Sequence, residues 1–264
     1  MTPNASGNGR MTASEAPLAG VRLTAGLCVS ALYVETDGGY FGLPGVDPWD
    51  QARDARKYAG PYPVVAHPPC QRWGRFWHGS PRKPHQFSKG DDGGCFKAAL
   101  AAVRRFGGVI EHPADSHAWE AFDIPRPPRS GGWISATIPW TWTCCVYQGK
   151  YGHFSGKPTW LYVSGVSWMD LPELRWGKVE QRLHPKALEK YGYAKARRIG
   201  MMAMVGGKDK TNIRNATPPE FRDLLLAIAA TATKTHNASG NGQAGVLACS
   251  VDSRVSGDNK QDSR

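Results

Sequence analysis

The residues best suited to chemistry are a cysteine and a glutamate that each follow a short apolar segment. Cys70 ends the stretch VVAHPPC over residues 64–70, and Glu111 lies in VIEHP over residues 109–113. A thiolate is a strong nucleophile, and a carboxyl group can hydrogen-bond or protonate a ring nitrogen. The pair suits addition to a pyrimidine, in which sulfur attacks carbon-6, the carboxyl group engages N3, and carbon-5 becomes nucleophilic. The prolines before Cys70 would hold the sulfur in position at little entropic cost.

Strand and helix patterns place these two residues on neighbouring elements. The short, proline-bounded apolar run of VVAHPP predicts a buried strand, and VIEHP predicts the next one. Between them, KGDDGGCFKAALAAVRRFGG predicts a helix, because Phe96, Leu100 and Val103 recur at helical spacing. In a right-handed strand–helix–strand unit the loops that follow the two strands lie side by side. We therefore expect Cys70 and Glu111 to face one pocket.

Other segments extend this alternation along the chain. Strands are predicted for VRLTAGLCVS, TWTCCVYQ and TWLYVSG, a short apolar element for YFGLPGVDPWD, and helices for QARDARKY, PADSHAWEAF and ATPPEFRDLLLAIAATA. The pattern predicts an α/β fold, a single Rossmann-like domain over residues 21–231 with a largely parallel sheet. The Ser-, Thr-, Gly- and Asn-rich segments 1–20 and 232–264 bury too little apolar surface to offset their ordering entropy, so they are predicted to be disordered tails.

Composition narrows the class of protein. The 264 residues are 41% hydrophobic and carry 33 Lys and Arg against 22 Asp and Glu, a formal net charge of +11 that suits a polyanionic partner such as DNA. No apolar run approaches the roughly 18 residues of a membrane span, and the first residues lack the layout of a secretion signal. The six scattered cysteines do not resemble a disulfide framework, so a reducing, cytoplasmic compartment is expected.

Several segments, in the same order, resemble the DNA cytosine-5 methyltransferase family. HPPCQRWG at 67–74 resembles the family's Pro-Cys nucleophile loop, and VIEHP resembles its Glu-Asn-Val strand end. YGHFSGKPTWLYVSG at 151–165 is similar to the segment in which Tyr-Gly-x-Pro-Gln and two arginines precede a strand. IRNATPPEF at 213–221 is similar to the closing Gly-Asn-Ala-x-Pro element, and GVDPWDQARDA at 45–55 to the acidic strand end that holds the cofactor ribose.

The resemblance implies a methyltransferase-like enzyme of a bacterium or a phage-infected cell that acts on a flipped cytosine in DNA, with S-adenosylmethionine as cofactor. It implies that Cys70 is the nucleophile and that Glu111 engages N3 of the base. Substrate contacts are implied for Arg72, Arg75, His112 and Lys157. Cofactor contacts are implied for Asp47, Asp50 and Asn215.

Three departures from the family pattern leave other functions open. The first predicted strand lacks the Asp-x-Phe-x-Gly-x-Gly segment, and His112 replaces the middle Asn of Glu-Asn-Val. The Gln-x-Arg-x-Arg triplet is reduced to His153, Ser155 and Lys157. One alternative is a non-catalytic DNA-binding or phage accessory protein without a cofactor site. Another is a nucleotide-level pyrimidine-modifying enzyme with a different donor, because PPCQR also resembles the nucleophile segment of thymidylate synthases.

Each candidate also has an ordinary structural interpretation. Cys70 could be a buried cysteine that closes a strand, and Glu111 could cap the following helix. Asp47 and Asp50 could simply form a turn. The segment 71–90 interleaves basic and aromatic residues, which suits either nucleic-acid contact or a lid over the core.

Zinc is a further alternative for the histidines and cysteines around Cys70. The His-x-x-Cys spacing of His67 and Cys70 suits a pair of zinc ligands, but no second tight pair follows at a standard distance. Additional ligands would have to come from His78, His85, Cys95, Cys144, Cys145 and His153. A cysteine bound to zinc would not be a free nucleophile, so we predict no metal site.

Overall fold

A seven-stranded sheet organises the part of the chain that the computed structural model describes, which comprises residues 28–79, 86–180, 183, 185–199 and 209–232. In chain order the strands are β1 (Val29–Leu32), β2 (Val46–Trp49), β3 (Val64–Ala66), β4 (Gly108–Pro113), β5 (Ile134–Ser135), β6 (Thr141–Tyr147) and β7 (Pro158–Ser164). Across the sheet the order is β2-β1-β3-β4-β7-β6-β5.

The sheet is parallel in one half and antiparallel in the other. Strands β2, β1, β3 and β4 run parallel, whereas β7 is antiparallel to β4 and β6, and β5 is antiparallel to β6. The connection from β6 to β7, residues 148–157, is shorter than the roughly dozen residues that a parallel crossover requires. The predicted mixed α/β domain is therefore confirmed, but the expectation of a largely parallel sheet holds only for the first four strands.

Five helices accompany the sheet in the described ranges. They are α1 (Cys95–Phe106), α2 (His117–Ala121), α3 (Pro185–Ile199), α4 (Asp209–Asn215) and α5 (Pro219–Thr231). The segment QARDARKY, predicted as a helix, forms only a 3₁₀ turn at Ala55–Lys57, capped by the side chain of Asp54. Of the strand predicted over 21–30, only the last three residues are described, and β1 extends beyond them to Leu32. The predicted tails lie outside the described residues, apart from Ala232.

Two hydrophobic cores lie on opposite faces of the sheet. Phe96 and Val103 of α1 pack with Val64 in one core, which we call the α1 face. Val65 and Val109 belong to the other core, with the apolar side of α5, and we call this the α5 face. Successive strand residues point to opposite faces. The residues two positions after Val65 and Val109, which are His67 and Glu111, are therefore directed to the α5 face.

The cysteines differ in their state. Cys70, Cys95, Cys144 and Cys145 are free thiols, and Cys249 lies outside the described residues. Cys28 is disulfide-bonded. None of the helices in the described ranges is long and apolar enough to cross a bilayer.

Candidate functional site

Glu111 lies on β4, and Cys70 lies in the loop that follows the neighbouring parallel strand β3. Strand β3 pairs with β4 with Ala66 beside Ile110, so the chain after β3 leaves the sheet at the level of Glu111. Glu111 itself lies inside β4 and pairs with Leu161 of β7, not past the strand end as the sequence predicted. Burial and then the negative charge of Glu111 raise the pKa of Cys70, so the two groups interact electrostatically.

A chain of hydrogen bonds passes through Glu111. Its Oε2 atom lies 3.0 Å from Nδ1 of His67, and Nε2 of His67 lies 2.7 Å from the hydroxyl oxygen of Tyr40. On the other side, Nε2 of Gln148 donates to Oε1 of Glu111 at 2.9 Å and to Oγ1 of Thr159 at 2.9 Å. Both carboxylate oxygens therefore have a partner within the protein, which fixes the orientation of the group.

The surroundings of Glu111 favour its ionised form. Burial by itself would raise the pKa of this carboxyl group. The hydrogen bond from His67 and the positive charge of Lys157 oppose burial, and the pKa of Glu111 is lowered to about 2. Glu111 is therefore a carboxylate at neutral pH.

His112 supports the loop that carries Cys70. Its Nδ1 atom lies 2.7 Å from Oγ of Ser116, the N-cap residue of α2, so the serine hydroxyl is assigned as donor and Nε2 carries the ring proton. Burial lowers the pKa of His112 to about 4, although Glu111 and the carbonyls of Pro69 and Pro68 act in the opposite direction. The neutral ring thus lies between α2 and the Pro-Pro segment. His112 is fully buried on the α1 face, and its Nε2 atom has no hydrogen-bond partner among the described residues. A buried ring does not suit the substrate contact that the resemblance implied.

Lys157 brings a positive charge to the same site. Its backbone has a φ of 38°, a left-handed conformation that is unusual for a long side chain and is often found at functional sites. The ammonium group donates to the carbonyl oxygens of Asn215 at 3.3 Å and Ala216 at 2.9 Å. Burial lowers the pKa of Lys157, while Glu111 and Cys70 raise it. Asn215, for which a cofactor contact was predicted, accepts a hydrogen bond from this lysine through its backbone carbonyl.

The two predicted acidic cofactor ligands are already bonded to the chain itself. Asp47 forms a 2.6 Å ion pair with Arg53 and accepts from the indole of Trp49 at 2.7 Å. Asp50 accepts from two backbone amides of the following turn and from the hydroxyl of Thr36 at 2.8 Å. Asp50 thus stabilises a turn, as the structural interpretation predicted, whereas Asp47 lies within β2. These contacts do not fit a role for either carboxylate in holding a ribose.

The predicted basic and aromatic loop shows stacked pairs close to Cys70 in the chain. The guanidinium of Arg72 lies 3.3 Å from the ring centroid of Phe87, and that of Arg75 lies 5.6 Å from the ring of Phe76. Phe76 is 64% exposed, and Arg75 is exposed beside it. Arg75 and Phe76 therefore form a charged aromatic surface, which we call the Arg75–Phe76 surface. Residues 80–85 of the same loop lie outside the described part of the chain.

The zinc ligands considered from the sequence do not converge within the described residues. No group of three or more His, Cys, Asp or Glu side chains is arranged to hold a metal ion in these ranges. His67 instead bonds to Tyr40 and Glu111. His85 lies outside the described residues.

Several residues of the site were missed from the sequence. Tyr40, Gln148, Thr159 and Arg214 were assigned no role, and His67 was considered only as a zinc ligand. Arg214 and Lys157 lower the pKa of Cys70, in opposition to burial and Glu111. The period of two along each strand could have placed His67 on the face of Glu111, but no local pattern points to Tyr40 or Gln148.

The strand order reverses at this edge of the sheet. From β1 the chain passes to β2 on one side, and β3 then pairs on the other side of β1. In open sheets of parallel strands, ligands bind beyond the carboxyl ends at such a reversal. Tyr40 follows β1 and His67 follows β3, so their hydrogen bond joins the segments that leave the two strands at this reversal.

Comparison with known proteins identifies no family for the chain. No protein-family model, curated protein or solved structure matches it. The function must therefore be inferred from the chemistry and geometry of the site.

Proposed function

We propose that this protein is an enzyme that modifies carbon-5 of a pyrimidine by covalent addition, and that its substrate is cytosine in DNA. The observation that supports this most directly is the placement of Cys70 in the loop after β3 beside Glu111 on the neighbouring parallel strand β4, with the charge of Glu111 acting on Cys70. A nucleophile for carbon-6 and a carboxyl group for N3 are the two groups that the addition requires.

The residues of the chain have distinct roles in this proposal. Cys70 forms a bond to carbon-6, and Glu111 hydrogen-bonds the N3 edge of the ring. Lys157 lies close enough to both to be electrostatically coupled to them, and its ammonium group stabilises negative charge on the ring oxygen. Once carbon-5 has reacted with an electrophile and lost its proton to a base, the S–C6 bond breaks and Cys70 is regenerated.

S-Adenosylmethionine is proposed as the donor on the strength of the sequence resemblance. It would supply an electrophilic methyl group. Asp47 and Asp50 do not fit the predicted role of holding the ribose of S-adenosylmethionine, because their carboxylate oxygens already bond to Arg53, Trp49 and Thr36. The donor therefore has to be established by experiment.

DNA is proposed as the substrate because of the net positive charge of the chain and the Arg75–Phe76 surface. The net charge of +11 favours a polyanion, and an exposed aromatic ring beside a guanidinium suits base stacking and phosphate contact. A cytosine in a duplex must leave its stack before Cys70 can reach carbon-6.

Mass analysis of nucleosides tests the activity without an assumption about the donor. DNA from cells that express the wild-type protein should contain a carbon-5-modified cytosine, whereas cells expressing Cys70→Ala or Glu111→Gln should not. Cys95→Ala is the matched control, because Cys95 is also a partly exposed free thiol. An unmodified nucleoside profile with the wild-type protein, or full modification by Cys70→Ala, would refute the proposal.

A non-catalytic DNA-binding or accessory protein is the second candidate. The saturation of Asp47 and Asp50 by protein donors favours it, because a protein without a cofactor site has no need of free carboxylates there. Equilibrium binding of S-adenosylmethionine separates the two functions. Absence of binding at millimolar concentration would favour this candidate, or an enzyme with another donor.

A substrate that is a free nucleotide is distinguished from DNA by ligand stabilisation. A ligand that binds only the folded state raises the melting temperature. Duplex DNA is expected to raise it, and a deoxycytidine monophosphate is expected to have a smaller effect. The reverse order would identify an enzyme that acts on nucleotides.

A further inference from the structure

His67 connects Glu111 to a tyrosine that is almost completely buried. Tyr40 is 5% exposed, and the side chains of His67 and Glu111 are 13% and 11% exposed. Burial and then the charge of Glu111 raise the pKa of Tyr40 well above its ordinary value, so its phenol keeps its proton. The phenol can therefore donate to Nε2 of His67, which leaves Nδ1–H to donate to Glu111.

Groups from several neighbouring elements of the described structure act on Glu111 and its partners. Tyr40 comes from the segment after β1, His67 and Cys70 from the loop after β3, His112 from β4, and Gln148 and Lys157 from the connection between β6 and β7. Arg222 and Asp223 of α5 act on Tyr40. None of the groups in direct hydrogen-bond contact with Glu111 is an acid. Its carboxylate is thus surrounded by donors and positive charges.

We propose that His67, with its ring held by Tyr40, is a positioning residue that keeps Glu111 as a carboxylate in the resting protein, so that Glu111 accepts the thiol proton of Cys70 and delivers it to ring N3. This inference rests on the proposed function. In this step, Cys70 and Glu111 share a single proton. That proton is on sulfur before the reaction and on N3 after the addition.

The electrons and the proton balance in this step. The S–H bond of Cys70 breaks, and the sulfur lone pair forms the S–C6 bond. The C5–C6 π pair moves to form a C4–C5 double bond, and the former C4–N3 π pair becomes a lone pair on N3. N3 takes the proton through Glu111, which ends the step as a carboxylate.

The donor on His67 opposes burial, which by itself favours the neutral form of Glu111. Without His67, Gln148 still donates to Glu111, but the largest of the effects that lower its pKa is lost. A neutral Glu111 would already hold a proton and could not accept the one on the Cys70 thiol. Burial and the charge of Glu111 both raise the pKa of Cys70, which favours the thiol form before the reaction.

A carboxyl titration by NMR measures the effect on Glu111 directly. The full-length protein is labelled with ¹³C at the glutamate carboxyl carbons, and the Glu111 signal is assigned by its loss in Glu111→Gln. The wild-type midpoint is expected near pH 2. His67→Ala is expected to decrease the proton dissociation constant of Glu111 at least about tenfold, a shift of at least about one pH unit. An unchanged midpoint in folded His67→Ala overturns the inference.

Two further variants keep the test decisive. His67→Asn retains an N–H donor near the position of Nδ1, so it is expected to restore part of the low midpoint. Tyr40→Phe releases the ring and is expected to raise the midpoint by a smaller amount in the same direction. Should His67→Ala fail to fold, as judged by near-ultraviolet circular dichroism, an unchanged midpoint in Tyr40→Phe overturns the inference in its place.

The outcomes separate this inference from the proposed function. A low Glu111 midpoint that depends on His67, in a protein that modifies no pyrimidine, would refute the proposed function and leave His67 as the residue that holds Glu111 ionised. A protein that modifies cytosine with the same pH–rate profile in wild type and His67→Ala would refute the inference and leave the function intact.

Discussion

Val64 and Gly108 are register partners at the start of β3 and β4, and their backbones approach so closely that no side chain fits between them. A Cβ atom at Gly108 would lie 1.9 Å from the carbonyl oxygen of Val64, and the φ of Gly108 is 123°. This pairing sets the register of the two strands that carry Cys70 and Glu111 to the edge of the sheet.

Gly108→Ala is therefore expected to disrupt the site through the backbone. We expect the free energy of unfolding to fall by at least about 3 kcal/mol, because the backbone of β3 would have to move. Urea denaturation measures the loss. The control is Gly132→Ala, which also has a positive φ but has no atom within 4 Å of the place that a methyl group would take, and which should cost only about 1 kcal/mol. Equal losses would contradict the close approach.

Glu111→Gln is expected to change how stability depends on acid. The pKa of Glu111 is about 2 in the folded protein against an ordinary value of 4.5, so its ionisation stabilises the fold above pH 4.5. This contribution, on the order of 3 kcal/mol, is lost as the pH falls from 4.5 towards 2. Urea unfolding across this range should show a shallower decline for the variant. Parallel curves for the two proteins would contradict the low pKa.

His112→Asn is expected to act in a different and higher pH window. The pKa of His112 is about 4 in the folded protein against an ordinary 6.5, so the buried neutral ring opposes protonation that the unfolded chain accepts. Stability attributable to His112 is present above pH 6.5 and is lost as the pH falls through 4, by an amount on the order of 3 kcal/mol. In the variant, the free energy of unfolding should depend less steeply on pH between pH 4 and pH 6.5. The loop at Cys70 should also exchange its amide hydrogens faster. A slope and an exchange rate like those of the wild type would mean that His112 neither titrates there nor holds the loop.

Substitutions on the Arg75–Phe76 surface are expected to weaken DNA binding in two distinguishable ways. Phe76→Ala should remove about 1–3 kcal/mol of base stacking, and Arg75→Ala should reduce the dependence of log Kd on log salt by about one. Fluorescence anisotropy over a salt series measures both effects. Met169→Ala is the control. Met169 is also exposed, at 89%, but it follows the end of β7, which pairs with the start of β4. It therefore lies at the opposite edge of the sheet from Cys70 and Glu111. An equal effect of all three substitutions would contradict a local contact.

Local patterns in the sequence were sufficient for the elements that carry Cys70 and Glu111. The apolar run of β3, the helical spacing of α1 and the strand at Glu111 are each encoded by near neighbours, and the structure has all three. The direction of β6 and β7 was not predicted, since it depends on the length of the turn between them and on which edge of the sheet accepts the hairpin.

The polar contacts of the site depended on partners distant in sequence. Tyr40 and His67 are 27 residues apart, and His67 and Glu111 are 44 apart, so no short window shows them together. The opposite error occurred at Asp47 and Asp50. Their acidic character suggested a ligand, but nearby donors in the same turn already satisfy them. Residue type alone does not distinguish a carboxylate that is bonded locally from one that is available.

The chain of hydrogen bonds from Tyr40 to Thr159 has a consequence for biosynthesis. Cys70 leaves the ribosome early, but the carboxylate network beside it is complete only when residue 159 of 264 has been added and the hairpin of β6 and β7 has joined the sheet. A nascent or truncated polypeptide that ends before this hairpin would carry Cys70 without Gln148 and Thr159, which help to orient Glu111. Under the proposed function, the reactivity of Cys70 towards a base would then be withheld until the hairpin has been synthesised.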